Sequence, residues 1–288
     1  MGKAFATCMD NFRRWFASPK IYVVFVLILI MQDSMMIAPI RRFARDMNLG
    51  IAPWIYPFLP MDWYICMLEA VGAIFLFCDS PMVNAGTPYL FMRTGRRAWL
   101  GGQILYVLLA ALAYQILFLL SSVLLVLPQL ELTPQWGKTL GSLAQTNIGY
   151  YWEYGITLSG SLVRRFTPVQ AMALSFSLRW MVTALLGMLL LCMNLFLPRV
   201  FGMIAGGAIA LLHPTAINAS GTFLYYISPA SWTALDYVNV SGGSDTSAMA
   251  LFPDLTYIRI TGMAILLALI LISFLGFRKK SIYSLSTT

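Results

Sequence analysis

The stretch DSPMVNAGTPYLFMRTGRRAWLGG (Asp79–Gly102) lies between two long apolar runs, and its reading sets the orientation of the whole chain. Arg93, Arg96 and Arg97 fall within five positions of it, and Thr87-Pro88 stands just ahead of a short apolar-aromatic turn, Tyr89-Leu90-Phe91-Met92. Three arginines in a short loop hold that loop on the cytoplasmic side of a membrane. Orientation alone needs only loose Lys or Arg. A proline-initiated apolar turn followed by a basic turn has the shape of a short helix pressed against a partner.

Outward from this loop, composition fixes the class. The 288 residues are 59% hydrophobic and only 10% charged, with mean hydropathy +0.76, too apolar for polar groups to cover the surface in water. The expectation is an all-α polytopic membrane protein. The net charge of +8 does not point to nucleic acid, because the basic residues sit in small groups beside apolar runs rather than along one stripe. Cys66, Cys78 and Cys192 fall in apolar runs and Cys8 in the N-terminal segment, without CxxC or metal-ligand spacing.

Six spans are expected, at about 21–39, 62–78, 100–127, 168–197, 200–212 and 257–277, forming a single transmembrane domain over 1–288. Ahead of them, Phe5, Cys8, Met9, Phe12, Trp15 and Phe16 recur at helical spacing, with Lys3, Asp10, Asn11, Arg13 and Arg14 opposite, over residues 4–17. That pattern describes an amphipathic helix lying in the headgroup plane, ended by Ser18-Pro19. Residues 79–99 form the cytoplasmic loop. Residues 128–167, with the aromatic cluster Tyr150, Tyr151, Trp152 and Tyr154, and residues 213–256, with Ser241-Gly242-Gly243-Ser244, form outer segments. Charge counting puts both termini in the cytoplasm, although Arg41, Arg42 and Arg45 then stand outside, and the localisation expected is the cell membrane.

The chemistry is sparse. No GxSxG, HExxH or paired acidic motif appears, and the segment around Gly137-Lys138-Thr139 is not a P-loop, since Leu132 occupies the position of the required first glycine. The only histidine, His213, reads as an interfacial residue at a span end. Three charges fall inside spans: Asp33, Glu69 and Arg179. Each would cost roughly 2.5 to 3.5 kcal/mol at a helix centre facing lipid, so each should face a partner or a wet cavity, possible points on a substrate path. At ~1.5 Å per residue, Glu69 and Arg179 lie close enough in depth for a pair.

The order of parts resembles the permease subunits of ATP-binding-cassette (ABC) transporters of the six-span exporter class. The resemblance rests on the amphipathic helix Phe5 to Phe16 before the first span, the arginine-bearing loop 79–102 between the second and third, and the outer segment between the fifth and sixth. The phrases Phe166-Thr167-Pro168-Val169-Gln170-Ala171-Met172 and Ser228-Pro229-Ala230-Ser231-Trp232 look like those of bacterial members. The long segment 128–167 departs from the family's usually short link. The resemblance implies pairing with a second permease chain, identical or related, and a separate ATPase subunit that carries ATP and Mg, with no cofactor in this chain. By position it implies that Tyr89, Phe91, Arg93, Arg96 and Arg97 couple to that ATPase. An amphipathic substrate, whether peptide, drug or lipid, suits the Met- and aromatic-rich spans. Two other readings stand beside it: a secondary transporter using Asp33 or Glu69 as a proton-binding carboxylate, and a membrane anchor or assembly partner.

Overall fold

The structure, a computed structural model, describes residues 2–83, 93–146, 149, 154–219, 221–240 and 251–277. Tyr89, Phe91 and the aromatic residues at 150–152 lie outside the described residues. Among those described there is no β-strand, only isolated bridges between Ile51 and Leu130 and between Asn239 and Asp254.

The helices are α1 (Gly2–Ala17), α2 (Pro19–Asp46), α3 (Trp63–Phe77), α4 (Arg96–Leu124), α5 (Gly137–Gln145), α6 (Gly160–Arg165), α7 (Pro168–Phe196), α8 (Arg199–Asn218), α9 (Phe223–Ile227) and α10 (Leu255–Phe277). Five of them, α2, α4, α7, α8 and α10, are long and apolar enough to cross a membrane, so the chain is an all-α, multi-pass membrane protein. The 15 residues of α3 rise about 22 Å, less than the ~30 Å hydrocarbon core. A buried 3₁₀ turn, Tyr56–Met61, precedes α3, and Asp62 caps it by accepting from the backbone N–H groups of Tyr64 and Ile65.

Two expected boundaries move, each at a proline. The first span was expected to stop at Pro39, but the helix continues to Asp46. Pro39 cannot donate to the carbonyl four residues back, and its ring would strike that carbonyl. Over Asp33–Ile37 the ladder widens to a π-turn, in which the Ala38 N–H reaches the Asp33 carbonyl, and the helix passes the proline without breaking. Similarly α8 runs through Pro214 to Asn218 instead of ending at Leu212. There the Thr215 hydroxyl donates to the carbonyls of Leu211 and Leu212, and the Asn218 amide donates to that of Pro214. The carbonyl that Pro214 leaves without an N–H donor is that of Ala210, and these side-chain bonds add donors to the carbonyls that follow it. His213 lies within the helix rather than at its end and is fully buried, its Nδ1 3.0 Å from the Ser231 hydroxyl.

The centre of the bundle is α7, whose apolar stretch is 72% buried against 22% for α10 at the periphery. Its N-terminus carries a capping box, Thr167 with Gln170, and Pro168 takes the first turn, where its missing N–H costs nothing. Around it pack α3, α4, α8 and α10. Small residues set the distances. A side chain at Gly206 would meet Ile74, and one at Gly187 would meet Val107 and Phe77.

Contacts between helix ends show that the long helices alternate in direction. At one end Lys20 pairs with Asp79, Arg199 also approaches Asp79, and Trp99 stacks on Phe277. At the other end Arg41 donates to the Leu125 carbonyl, and the Trp136 indole donates to the Phe166 carbonyl. The second end is closed by residues 49–61, 127–145, 156–166 and 225–240.

At the first end α1 does not lie free. Thr7, Cys8 and Asn11 are buried against the start of α4, where Asn11 donates to Gln103 at 2.9 Å and Trp15 donates to the Tyr106 hydroxyl at 2.7 Å. Gly102 makes this contact possible: a Cβ there would sit 2.6 Å from the Ala4 carbonyl oxygen and from the Thr7 Cβ. Phe5 and Met9 remain exposed on another face. Gly102→Val should push α1 off α4 at an overpacking cost of about 1–3 kcal/mol, leaving the bundle inserted. Thiol labelling of Cys8, 1% exposed, should then accelerate; unchanged labelling would show that α1 is not held through Gly102.

Candidate functional site

A buried network at the centre of the bundle gathers two of the three intramembrane charges. Glu69 faces inward from the middle of α3, and Arg179 from α7, where it is fully buried. Arg179 Nε donates to Glu69 Oε1 at 3.0 Å, and Nη2 lies 2.9 Å from Oε2. The second contact is off the N–H direction, so neither Oε2 nor Nη2 gains an aligned hydrogen bond from it; it is an ion-pair contact beside one good charge-assisted bond.

The other atoms of the pair are met by residues that the sequence did not single out. Arg179 Nη1 donates to the Tyr56 carbonyl at 3.2 Å, and the guanidinium carbon lies 4.0 Å from the Tyr56 ring centroid and 4.5 Å from that of Phe118. Gln115 on α4 donates to Glu69 Oε1 and to the Thr183 hydroxyl, both at 2.7 Å, and accepts from the Tyr56 hydroxyl at 2.9 Å. Thr183 follows Arg179 by four residues, and so shares its face of α7. The Tyr114 hydroxyl donates to the Glu69 backbone carbonyl at 3.0 Å, coming close to α3 where Gly72 has no side chain. One signal was available: Gln115 is an amide within the apolar run 104–120 of the third span.

The network is dry. The void beside Glu69, lined also by Cys66, Thr183 and Thr233, measures about 10 Å³, room for at most one water. An arrangement of this kind orients and fixes helices. It leaves no passage for a substrate past Glu69 in this conformation.

Asp33 stands apart. It lies in the π-turn of α2 and pairs with Arg41 at 2.5 Å, both side chains being about one-third exposed. Arg41, counted from sequence as part of the outer link, belongs to the same helix, eight residues on. Next to this pair, Gln32 donates to the Phe118 carbonyl and accepts from Ser121, joining α2 to α4.

A second polar cluster closes the other end of the bundle. Asp236 accepts from the hydroxyls of Ser159 and Ser161, and Arg165 donates to the carbonyls of Leu235 and Val238 at 2.8 and 3.1 Å. Burial pushes the Arg165 guanidinium below its usual value, with Asp236 acting in the opposite direction.

Of the residues expected to couple to a partner, Arg96 and Arg97 form the first turn of α4, after Gly95 at φ +83°. The Arg93 carbonyl accepts from Lys3 of α1 at 3.2 Å. Comparison with models of protein families, with curated proteins and with solved structures finds no match to this chain.

Removing one member of the central pair leaves a buried charge without its counterion, which costs about 3–5 kcal/mol. Glu69→Gln and Arg179→Gln should each lower the unfolding midpoint sharply, and the double substitution should cost less than the sum of the two. A double-mutant cycle of unfolding in detergent checks this; additive losses would mean that the pair contributes no coupling.

Proposed function

We propose that the chain is the membrane permease subunit of an ATP-driven ABC exporter in the cell membrane, with six spans, both termini cytoplasmic and ATP hydrolysis carried by a separate subunit. In this reading α3, extended by the turn Tyr56–Met61, is the sixth span, and a second permease chain completes the transporter. The proposed substrate is amphipathic: a peptide, a drug or a lipid.

The observation that carries the reading is the joining of α1 to the base of α4. The amphipathic helix is held to α4 through Asn11 and Gln103 and through Trp15 and Tyr106, and Lys3 reaches the Arg93 carbonyl at the end of the arginine loop. A surface for an ATPase needs this rigidity, because a loop that moved independently would not transmit a partner's motion. The orientation is supported by charge. The segments at the α1 end hold eleven Lys and Arg, whereas those at the other end hold seven, and juxtamembrane basic residues favour the cytoplasmic side. Acidic residues sharpen the contrast, since only Asp10 and Asp79 lie at the basic end. A proton-driven transporter would need a carboxylate free to load and release; Glu69, 5% exposed and held by Arg179 and Gln115, does not have that freedom, which leaves Asp33, one-third exposed beside Arg41, as the carboxylate for that second reading.

On this proposal the isolated chain hydrolyses no ATP, and activity appears only when an ATPase subunit co-purifies. Loss of an apolar anchor in a small interface typically costs at least 2 kcal/mol, more than loss of a rim charge. Phe91→Ala and Tyr89→Ala should therefore uncouple or release the ATPase while the permease stays folded. Arg96→Ala with Arg97→Ala should weaken assembly in a salt-dependent way, since exposed charges are screened over ~8 Å at physiological ionic strength. Cross-linking to the ATPase from cysteines placed at positions 89–93 decides the matter; failure at every position leaves the loop as an orientation signal only.

A further inference from the structure

At the basic end of the bundle, α1, α2, α3 and α8 enclose a crevice of about 250 Å³ that the central network does not use. Arg14 reaches it from the last turn of α1, Lys20 from the first turn of α2, and Arg199 from the first residue of α8. Facing these three cations is a single carboxylate, Asp79, 2.6 Å from Lys20 and 3.6 Å from Arg199. Arg14 has its own partner, Asp10, one turn back on α1 and not in the crevice wall. With Arg14 matched by Asp10, Lys20 and Arg199 against the one carboxylate of Asp79 leave an excess of one positive charge.

The backbone adds to this excess. Both α2 and α8 point their N-termini into the region, and neither has a side-chain cap: Ser18 lines the crevice but its hydroxyl caps no backbone N–H, and Pro198 has no side-chain donor or acceptor to offer. Two uncapped helix N-termini with cations in their first turns run against the helix dipole, an arrangement that an external anion would relieve. The rest of the wall is apolar. Ile21 and Val24 of α2 and Phe75 and Leu76 of α3 line it, and Phe75 is 56% exposed on the membrane-facing surface that continues from it.

We propose that this crevice seats the headgroup phosphate of an anionic phospholipid, with an acyl chain lying along the α2–α3 surface past Val24 and Phe75. A free anion would satisfy the cations and leave the apolar wall bare; a zwitterionic lipid would bring a cation toward groups already in positive excess. Basic pockets between membrane helices at the headgroup level take anionic lipids by this combination. The inference rests on the multi-pass membrane fold and is independent of any ATPase partner, so it survives or fails separately from the exporter reading.

The test is native mass spectrometry and thermal unfolding of the full chain in detergent, with phosphatidylglycerol, phosphatidylcholine or inorganic phosphate added. Phosphatidylglycerol should remain bound and raise the unfolding midpoint, while phosphatidylcholine and inorganic phosphate should not. Arg199→Gln should weaken phosphatidylglycerol binding by about fivefold, as expected for one cation near an anionic surface. Asp79→Asn should hold or tighten it by removing the competing carboxylate. Because Lys20→Gln alone strips Asp79 of a partner and can misfold the chain, it is made together with Asp79→Asn, and this double variant should bind less tightly than Asp79→Asn. Equal protection by inorganic phosphate would convert the crevice into a free-anion site and overturn the lipid. Retention of phosphatidylglycerol by the Arg14→Gln, Lys20→Gln, Arg199→Gln, Asp79→Asn variant, or a loss on Asp79→Asn as large as on Arg199→Gln, would overturn the seat itself.

Discussion

A guanidinium at the centre of a membrane-spanning bundle has to be answered at every one of its faces, and the arrangement of this protein follows from how Arg179 is answered. Its edge meets Glu69 of α3, a remaining donor meets the carbonyl of Tyr56, and its flat faces lie near the rings of Tyr56 and Phe118. A lysine could not reproduce this set, since its ammonium is a compact charge with three donors on one nitrogen and neither a planar fork nor flat faces to stack. The consequence is structural: three helices and the turn ahead of α3 are fixed in depth and rotation by one side chain. Gln115 extends the constraint, because an amide that donates to Glu69 and Thr183 and accepts from Tyr56 fits one rotation of α4 only.

The same pair illustrates what was legible in the chain before its fold. Glu69 and Arg179 could be matched because charge in an apolar run is costly and depth can be counted along a helix. Their neighbours could not be assigned, since Tyr56, Tyr114 and Thr183 are ordinary residues until rotation about each helix axis is known. The helix boundaries failed at Pro39 and Pro214 for one reason. Proline is a strong terminator in water, where exposed carbonyls find solvent, but here α2 absorbs Pro39 in a π-turn, and around Pro214 the side chains of Thr215 and Asn218 add donors to neighbouring carbonyls of α8. Extending α8 past Pro214 also places His213 within a helix rather than at its end, buried where Ser231 meets it. Asp33 went astray with the first of these boundaries: once α2 continues, Arg41 lies on the same helix and becomes its counterion.

The two ends of the bundle are built on different principles. At one, Arg165 and Asp236 with Ser159 and Ser161 bind short helices together through many short-range contacts, so that charge is consumed internally. At the other, α1 is held by Asn11 and Trp15 on one face while Phe5 and Met9 remain exposed on another. That division explains a helix whose sequence is amphipathic yet contains Thr7 and Asn11 on its packed side: the packed face recognises α4, and the exposed apolar residues are available to the membrane surface.

Of the long helices that start at the basic end, α2, α4 and α8 carry basic residues in their first turn, Lys20, Arg96 with Arg97, and Arg199, and no acidic residue accompanies them there. In an isolated helix each would be unfavourable by about 0.3–1 kcal/mol, because the N-terminus already carries the positive end of the dipole. A chain that repeats this arrangement at the same end of the bundle places positive charge where backbone N–H groups also point, and the two add. Intramolecular pairing does not remove the excess at the crevice, since Lys20 and Arg199 converge on Asp79 alone. The field at that end is therefore directed outward, toward an anionic surface, whereas the charge of Arg179 is spent entirely within the protein. The charges of this molecule thus fall into separate sets: one buried and matched, the other peripheral and left in excess.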